Sequence, residues 1–129
     1  MMRWIAALAL LASSVHAWEA VDHATVLIDM TWTEPTLMES GNPLVDLAYT
    51  RAYIDGVMAL EVPGSSPSGG GPVVVQVIVP APVGQVTVAV ATARAVRLSG
   101  QESLDAPLDG ITITIDRARP SAPDAVAAQ

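Results

Sequence analysis

The sequence predicts an all-β chain, an antiparallel sandwich of about seven short strands, from three observations. Several segments alternate apolar and polar residues with a period of two, which is typical of half-buried strands. The chain contains 9 glycines and 10 prolines, and turns rich in these residues separate the alternating segments. Beyond the N-terminal segment, no long stretch shows a convincing 3.6-residue period. Short strands punctuated in this way favour two packed sheets or a small barrel.

The N-terminal segment has the pattern of a secretory signal peptide. Arg3 precedes an apolar run over residues 4–11, and the segment ends in Val15-His16-Ala17. A membrane-spanning helix needs roughly 20 apolar residues, and this run is much shorter. We therefore expect cleavage after Ala17, no membrane span after cleavage, and a secreted or periplasmic protein. The expected organisation is a signal peptide over 1–17, a sandwich over 18–117 and a disordered tail over 118–129.

Composition excludes several kinds of site and partner. The chain has no cysteine, which excludes a disulfide framework, a thiolate zinc site and a cysteine nucleophile. Its formal net charge is −7, which becomes −8 once the signal peptide takes Arg3 with it. An acidic chain with few basic residues is a poor match for the phosphates of nucleic acid. We expect a soluble exported domain without nucleic acid as a partner.

The clearest strand covers residues 26–32, and proline ends it at Glu34-Pro35 because proline cannot donate to a ladder. A long loop follows and leads to a strand over 48–54. Asp55-Gly56 then predicts a tight hairpin turn into a strand over 57–62. The apolar face of the first of these strands is predicted to be core: Val26, Ile28, Met30 and Trp32.

The second half of the chain alternates in the same way. Residues 63–72 contain only Gly, Ser and Pro, which predicts a mobile loop. A valine-rich strand over 73–79, an alternating strand from Val86 and a strand over 111–115 follow. With Trp32, their apolar residues complete the predicted core: Val75, Val77, Val79, Val86, Val88, Val90, Ile111 and Ile113.

Three segments, taken together, resemble bacterial fibronectin type III domains. They are residues 24–36, ending Met30-Thr31-Trp32-Thr33-Glu34-Pro35-Thr36; Asn42-Pro43-Leu44-Val45-Asp46-Leu47-Ala48, leading to Arg51-Ala52-Tyr53; and residues 88–95, followed by Ser99-Gly100-Gln101-Glu102-Ser103. The resemblance covers about residues 25–115 and implies an immunoglobulin-like sandwich. The chain departs from the family in lacking a large aromatic early in the sixth strand. It also lacks a proline-led first strand, so that strand is expected to be short or absent.

The resemblance implies a non-enzymatic module for binding, adhesion or spacing, since this fold does not fix an activity. If the topology holds, the loops over 34–46 and 98–102 lie at one end of the sandwich and contact a protein or a polysaccharide. The candidate binding residues are Glu34, Met38, Glu39, Asn42, Asp46, Leu98, Gln101 and Glu102. No cofactor or metal is expected.

Two other functions remain open. The chain could be a structural or assembly subunit that uses an exposed sheet edge, with residues 73–79 as the docking strand and Val74 and Ile78 as test positions. It could also be a small hydrolase, the weakest of the three hypotheses. His23 is the one histidine left after cleavage, and it stands before the first clear strand.

Other polar groups favour ordinary structural roles. Asp105 and Asp109 flank a turn that lacks the alternating acidic pattern of a calcium loop. Gly69-Gly70-Gly71 precedes a strand instead of a helix, which excludes a phosphate loop. The strand that carries Tyr49, Arg51 and Tyr53 on one face could present a binding patch or an ordinary sheet surface.

Overall fold

Seven antiparallel strands form two sheets in the part of the chain that the structure describes. The structure is a computed structural model that describes residues 11–123, with side chains from Trp18 onward. One sheet has the strand order β1-β2-β5 and the other the order β4-β3-β6-β7. The all-β sandwich predicted from the sequence is confirmed. The strands are β1 Leu11–Ala20, β2 Thr25–Thr33, β3 Leu47–Ile54, β4 Val57–Pro63, β5 Pro72–Pro80, β6 Val86–Arg97 and β7 Ala106–Asp116.

Strand β1 crosses the predicted cleavage point. It runs antiparallel to β2, from the pair Leu11 and Thr33 to the pair Ala20 and Val26. Residues 1–10 of the predicted signal peptide lie outside the described residues, whereas residues 11–17 form the first part of this strand. A ten-residue strand therefore lies where the sequence predicts a short or missing one.

The predicted C-terminal tail begins directly after β7. Residues 118–123 are exposed and belong to no strand, and residues 124–129 lie outside the described part of the chain. Arg117, just before the tail, donates from Nη1 to the carbonyl oxygens of Ala81 and Thr25, at 2.9 and 3.2 Å. The chain is therefore hydrogen-bonded to the sandwich as far as Arg117, the residue before the predicted tail.

The inward face of β2 is buried as predicted. Val26, Ile28, Met30 and Trp32 belong to one apolar cluster between the sheets, in which Val77, Val79 and Ile113 are also buried. Alternation works on this strand because one face meets the opposite sheet and the other faces outward. The indole Nε1 of Trp32 donates to Thr50 Oγ1 at 3.0 Å, so its polar atom is satisfied inside the core.

Strand β6 turns the opposite face inward from the one predicted. Val88 is 58% exposed and Val86 is also exposed, so their assignment to the core is wrong. The buried positions are Ala89, Ala91, Ala93 and Ala95. Two causes act together. Small alanines leave room for the large side chains of β2. Arg94 lies on the same face as Val86 and Val88, and its charge keeps that face turned outward. Three other predicted core residues are half-buried: Val75, Val90 and Ile111.

The β3–β4 turn has the predicted conformation. Asp55 has a φ of 51° and Gly56 a φ of 80°. Positive φ at both central residues is the signature of a type I′ turn, whose twist matches that of the strands it joins. Glycine at the second position adopts this backbone without a steric penalty. Aspartate tolerates it at the first position.

Candidate functional site

Three loops gather at one end of the sandwich because successive strands run antiparallel. They are residues 34–46 between β2 and β3, residues 64–71 between β4 and β5, and residues 98–105 between β6 and β7. We call these three segments the loop end. The β1–β2, β3–β4 and β5–β6 connections lie at the opposite end.

Glu34 joins two of the three loops. Its side chain is only 1% exposed. One carboxylate oxygen accepts hydrogen bonds from the backbone N–H of Gly71, at 2.9 Å, and from the hydroxyl of Ser65. The other accepts from the backbone N–H of Ser65 at 2.8 Å. The prediction that Glu34 contacts a partner directly is therefore wrong, because its carboxylate is buried and already bonded within the chain.

The glycine- and serine-rich loop is anchored along its length, contrary to the expected mobile connection. Leu47 N–H donates to Pro67 O at 2.9 Å, and Gly64 N–H donates to Ala48 O at 2.8 Å. Gly69 lies against Pro35 so closely that a Cβ atom there would collide with the Pro35 carbonyl oxygen. The lack of large side chains therefore allows close backbone packing instead of a loose linker.

An ion pair joins the first loop to the end of β6, and a backbone hydrogen bond joins the first loop to the third. The guanidinium Nε of Arg97 lies 2.9 and 3.1 Å from the two carboxylate oxygens of Asp46. The backbone N–H of Leu98 donates to Asp46 O at 2.9 Å, and Arg97 also donates to Gln101 Oε1 at 3.0 Å. The segments 34–46 and 98–102, predicted to share one end of the sandwich, therefore lie side by side. Asp46 and Gln101 hold this arrangement through their side chains.

Exposed aliphatic side chains lie on these joined loops. Val45 is 71% exposed and Leu98 is 76% exposed, and the Asp46–Leu98 hydrogen bond brings their loops together. Leu37, earlier in the first loop, is also exposed. Sequence reasoning selected Leu98 but missed Val45 and Leu37. Their signal in the sequence is an aliphatic residue inside a predicted loop, where no strand face requires one.

The remaining predicted residues of the first loop divide into buried and exposed. Met38 packs against a small second core formed by Leu44, Leu47 and Ala95, so it supports the loop from within. Asn42 is exposed, and Glu39 is partly exposed on the turn beside it. The turn closes with Met38 N–H donating to Asn42 O at 2.8 Å. Only part of the predicted set is therefore presented to solvent.

A charged network occupies the outer face of the four-stranded sheet. Arg51 pairs with Glu61 at 2.7 Å and with Glu102 at 3.1 Å. Arg94 pairs with Asp105 at 2.7 Å and lies within 3.6 Å of Glu102. Its guanidinium carbon lies 4.3 Å from the centre of the ring of one further residue, Tyr53. On the face that carries Tyr49, Arg51 and Tyr53, the side chains of Arg51 and Tyr53 therefore contact other residues of the chain, whereas Tyr49 is exposed.

Glu102 is the common acceptor of this network. The Tyr53 hydroxyl donates to its carboxylate, and this hydrogen bond, followed by that from Arg51, holds the pKa of Glu102 below its ordinary value. Burial, followed by the bond to Glu102, raises the pKa of Tyr53. The proton therefore stays on the phenol and the charge on the carboxylate. Glu102, predicted as a binding residue, is instead engaged by three side chains of its own chain.

His23 and Trp18 lie away from the loop end, whereas Asp105 is its last residue. His23 is exposed in the β1–β2 connection, at the opposite end, where its carbonyl oxygen accepts from Val83 N–H at 2.8 Å. Trp18 packs on the main core, with the Arg117 guanidinium 5.8 Å from its ring centre. Asp105 pairs with Arg94. The side chains of Trp18 and Asp105 therefore have structural contacts within the chain.

Within residues 18–123, every buried side-chain nitrogen or oxygen has a hydrogen-bond partner. The described residues contain no group of three or more His, Asp or Glu side chains placed to hold a metal ion. The described part of the chain has no helix that could cross a membrane. No family model, curated protein or solved structure matches the chain.

Proposed function

We propose that this chain is an exported, non-enzymatic β-sandwich module, akin to fibronectin type III domains, that binds a partner protein through its loop end. One observation carries the proposal: Val45 and Leu98 are exposed on loops that are bonded to each other. The seven-stranded sandwich is the fold that the resemblance implies, and it supports the kinship. The anionic chain, with a formal net charge of −7, is unsuited to nucleic acid or to an anionic membrane surface.

The internal bonds of the loop end support a binding role. Glu34 bonds the first loop to the second, and the Asp46 carbonyl oxygen accepts from Leu98 N–H of the third. Loops that are held before a partner arrives lose less conformational entropy on binding. Burial of exposed aliphatic surface then contributes roughly 25 cal/mol per Å². The loop end therefore combines a fixed shape with apolar area that a partner can cover.

The chemistry of this surface favours a protein over a polysaccharide. Val45 and Leu98 are its most exposed large hydrophobic side chains, at 71% and 76%. A polysaccharide presents mainly hydroxyl groups, which need polar partners. The charged groups nearest these two residues, Asp46 and Arg97, already bond each other. An apolar patch on a partner protein is the better complement, because interface cores are depleted in charge.

A capture experiment with matched variants tests the proposal. The immobilised chain is exposed to native envelope extract and to a polysaccharide panel. The double variant Val45→Asp/Leu98→Asp is compared with Val57→Asp/Met58→Asp, which changes two exposed residues at the opposite end and adds the same charge. We expect one protein to be captured by the wild type and by the second variant, and to be lost with the first. Equal capture by both variants, or capture of polysaccharide alone, would contradict the proposal.

Export is tested separately by intact mass. The full chain is expressed in a bacterial host, and the periplasmic and extracellular fractions are analysed. We expect a product that begins at Trp18, as the small residues before that position predict. Full-length chain retained in the cytoplasm would contradict export without bearing on the loop end.

A further inference from the structure

Strand β5 leaves one edge of the three-stranded sheet open. All nine of its residues, Pro72–Pro80, pair with β2 in one continuous register without a bulge. Among the described strands, none pairs with its other side. An unprotected edge strand is a template for pairing with another chain.

The hydrogen bonds just beyond the two ends of β5 show which of its backbone groups face this open edge. Glu34 N–H donates to Gly71 O at 2.9 Å, and Ala81 N–H donates to Ala24 O at 2.8 Å. Backbone groups alternate in direction along an antiparallel strand, so the odd-numbered residues between them also face β2. The N–H and C=O groups of the even-numbered residues therefore face outward: Val74, Gln76 and Ile78.

The prolines of β5 fit this assignment. Pro72 and Pro80 are both even-numbered, so the N–H that each lacks would have faced outward and not toward β2. Between them, the edge has none of the usual protection. Pro72–Pro80 contains no charged residue, and Val74 and Ile78 are 75% and 60% exposed. Natural edge strands are commonly blunted by charges or bulges.

We propose that β5 pairs with β5 of a second copy of this chain, antiparallel about a two-fold axis at Gln76. The strand is almost symmetric about this residue, running Pro-Val-Val-Val-Gln-Val-Ile-Val-Pro. The pairing places Val74 opposite Ile78 of the second copy and Gln76 opposite its counterpart. Every outward N–H between the prolines then meets a carbonyl, which gives about six main-chain hydrogen bonds. A slip of two residues would set the Gln76 amide against an aliphatic side chain.

The size of the contact makes this dimer weak and reversible. One strand edge buries less than the roughly 1,200 Å² typical of stable interfaces. Each copy also carries a formal net charge of −7, which repels the other. Association therefore rises with protein concentration, and it rises further with salt because salt screens the repulsion.

Sedimentation of the full chain from about 1 μM to about 1 mM, at low and high salt, measures this association over the range of weak affinities. Gln76→Lys places two like charges opposite each other at the axis, although it lowers the net charge that opposes dimerisation. Val57→Lys makes the same charge change at an exposed position of the β3–β4 hairpin. We expect Gln76→Lys to weaken the dimer roughly tenfold or more, and Val57→Lys to leave it unchanged or slightly stronger.

A charge swap tests the register. Val74→Lys alone sets a lysine against Ile78 of the second copy and is expected to weaken the dimer. Val74→Lys/Ile78→Glu sets opposite charges against each other at both ends of the strand, and is expected to restore the dimer without changing the net charge. In a parallel or slipped arrangement the double variant would not recover. Thermal melting of each variant shows that the fold is retained.

Amide exchange reports on the edge without mutation. In the dimer, the N–H groups of Val74, Gln76 and Ile78 become protected as concentration rises, whereas those of Val75 and Val77 are protected at every concentration. Three results would overturn the proposal: a monomer throughout the concentration range, a dimer that Gln76→Lys leaves intact, or a dimer lost in Val45→Asp/Leu98→Asp. The last result would move self-association to the loop end.

Discussion

Strands β2 and β6 belong to different sheets and line the same core, yet they bury opposite kinds of side chain. The inward face of β2 carries Val26, Ile28, Met30 and Trp32. The inward face of β6 carries four alanines, and its larger Val86 and Val88 face solvent. Alternation therefore shows that a strand has two faces, but it does not show which face is inside. That choice depends on the volume supplied by the opposite sheet and on charges further along the strand.

The largest expected effect on stability comes from removing a large side chain from the inward face of β2. Trp32→Ala should lower the free energy of unfolding by roughly 3–5 kcal/mol, because Trp32 is buried in the core and its loss leaves a large cavity there. Urea denaturation measures the loss. Trp32→Phe is the control, since it keeps most of the volume and removes only the hydrogen bond to Thr50. A cost below about 1 kcal/mol for Trp32→Ala would show that Trp32 is not packed in the core.

The next largest effect comes from enlarging an alanine on the inward face of β6. Ala91→Leu should destabilise the fold by about 1–3 kcal/mol, because Ala91 is fully buried and has no room for the added atoms. Val88→Leu enlarges the outward face of the same strand and serves as the control. Both are compared by thermal and urea unfolding. If Ala91→Leu proved neutral, the alanine face of β6 would not be the tightly packed one.

The residues that end the two strands differ as well. Glu34 follows β2 as a buried carboxylate, and Arg97 ends β6 in a partly exposed ion pair. Glu34→Gln should cost about 1–3 kcal/mol, since its amide cannot accept all three hydrogen bonds. Arg97→Gln should cost about 0–1 kcal/mol. Limited proteolysis should cut residues 64–71 faster in Glu34→Gln only; equal cutting in both variants would argue against the Glu34 contacts.

A smaller effect on stability comes from the Glu102 carboxylate and depends on pH. The pKa of Glu102 is held below its ordinary 4.5 by Tyr53 and then by Arg51. A lowered folded-state pKa stabilises the fold above the unfolded value, and this contribution is lost as the pH falls through the folded value. At pH 7 the free energy of unfolding of the wild type should therefore be higher than that of Glu102→Gln by under about 1 kcal/mol. Urea titrations at a series of pH values should show this difference disappear in acid. A constant difference down to about pH 2.5 would contradict the linkage.

The smallest effect provides the sharpest contrast with the sequence-based expectation. Val88→Ala should change stability by no more than about 0.5 kcal/mol, because Val88 is exposed. Val77→Ala makes the same change at a buried position and should cost about 2 kcal/mol. Parallel urea titrations compare the two. An equal loss of stability in both variants would show that Val88 is buried in the core.

The sequence predicts local features of this fold well. The alternation of β2 predicts its buried face, and Asp55-Gly56 predicts the turn that follows β3. These features depend on neighbouring residues, so a short window contains the information needed. The face of β6 depends on the opposite sheet. Arg94, which shares the outward face, was the one local clue to it.

The candidate site was less predictable than the fold, for the same reason. The sequence predicts Glu34 as a binding residue because it opens the end loop over 34–46. Its burial depends on Ser65 and Gly71, more than 30 positions along the chain. The sequence-based selection includes Leu98 but omits Val45, although both are exposed aliphatic residues in predicted loops. Long-range contacts decide which loop side chains reach solvent, and no short segment contains them.

The hairpin turn at Asp55-Gly56 also bears on how quickly the chain can fold. It joins partners only three positions apart, Ile54 and Val57, and such hairpins form in roughly 1–10 μs. The partners in the β2–β5 ladder are between 39 and 55 positions apart, and sheets built from distant partners complete in roughly milliseconds to seconds. An isolated two-stranded hairpin is at best marginally stable in water, so this turn gains lasting stability only when further strands pair with it. The large apolar side chains of β2 remain in water until the four-stranded sheet packs over them.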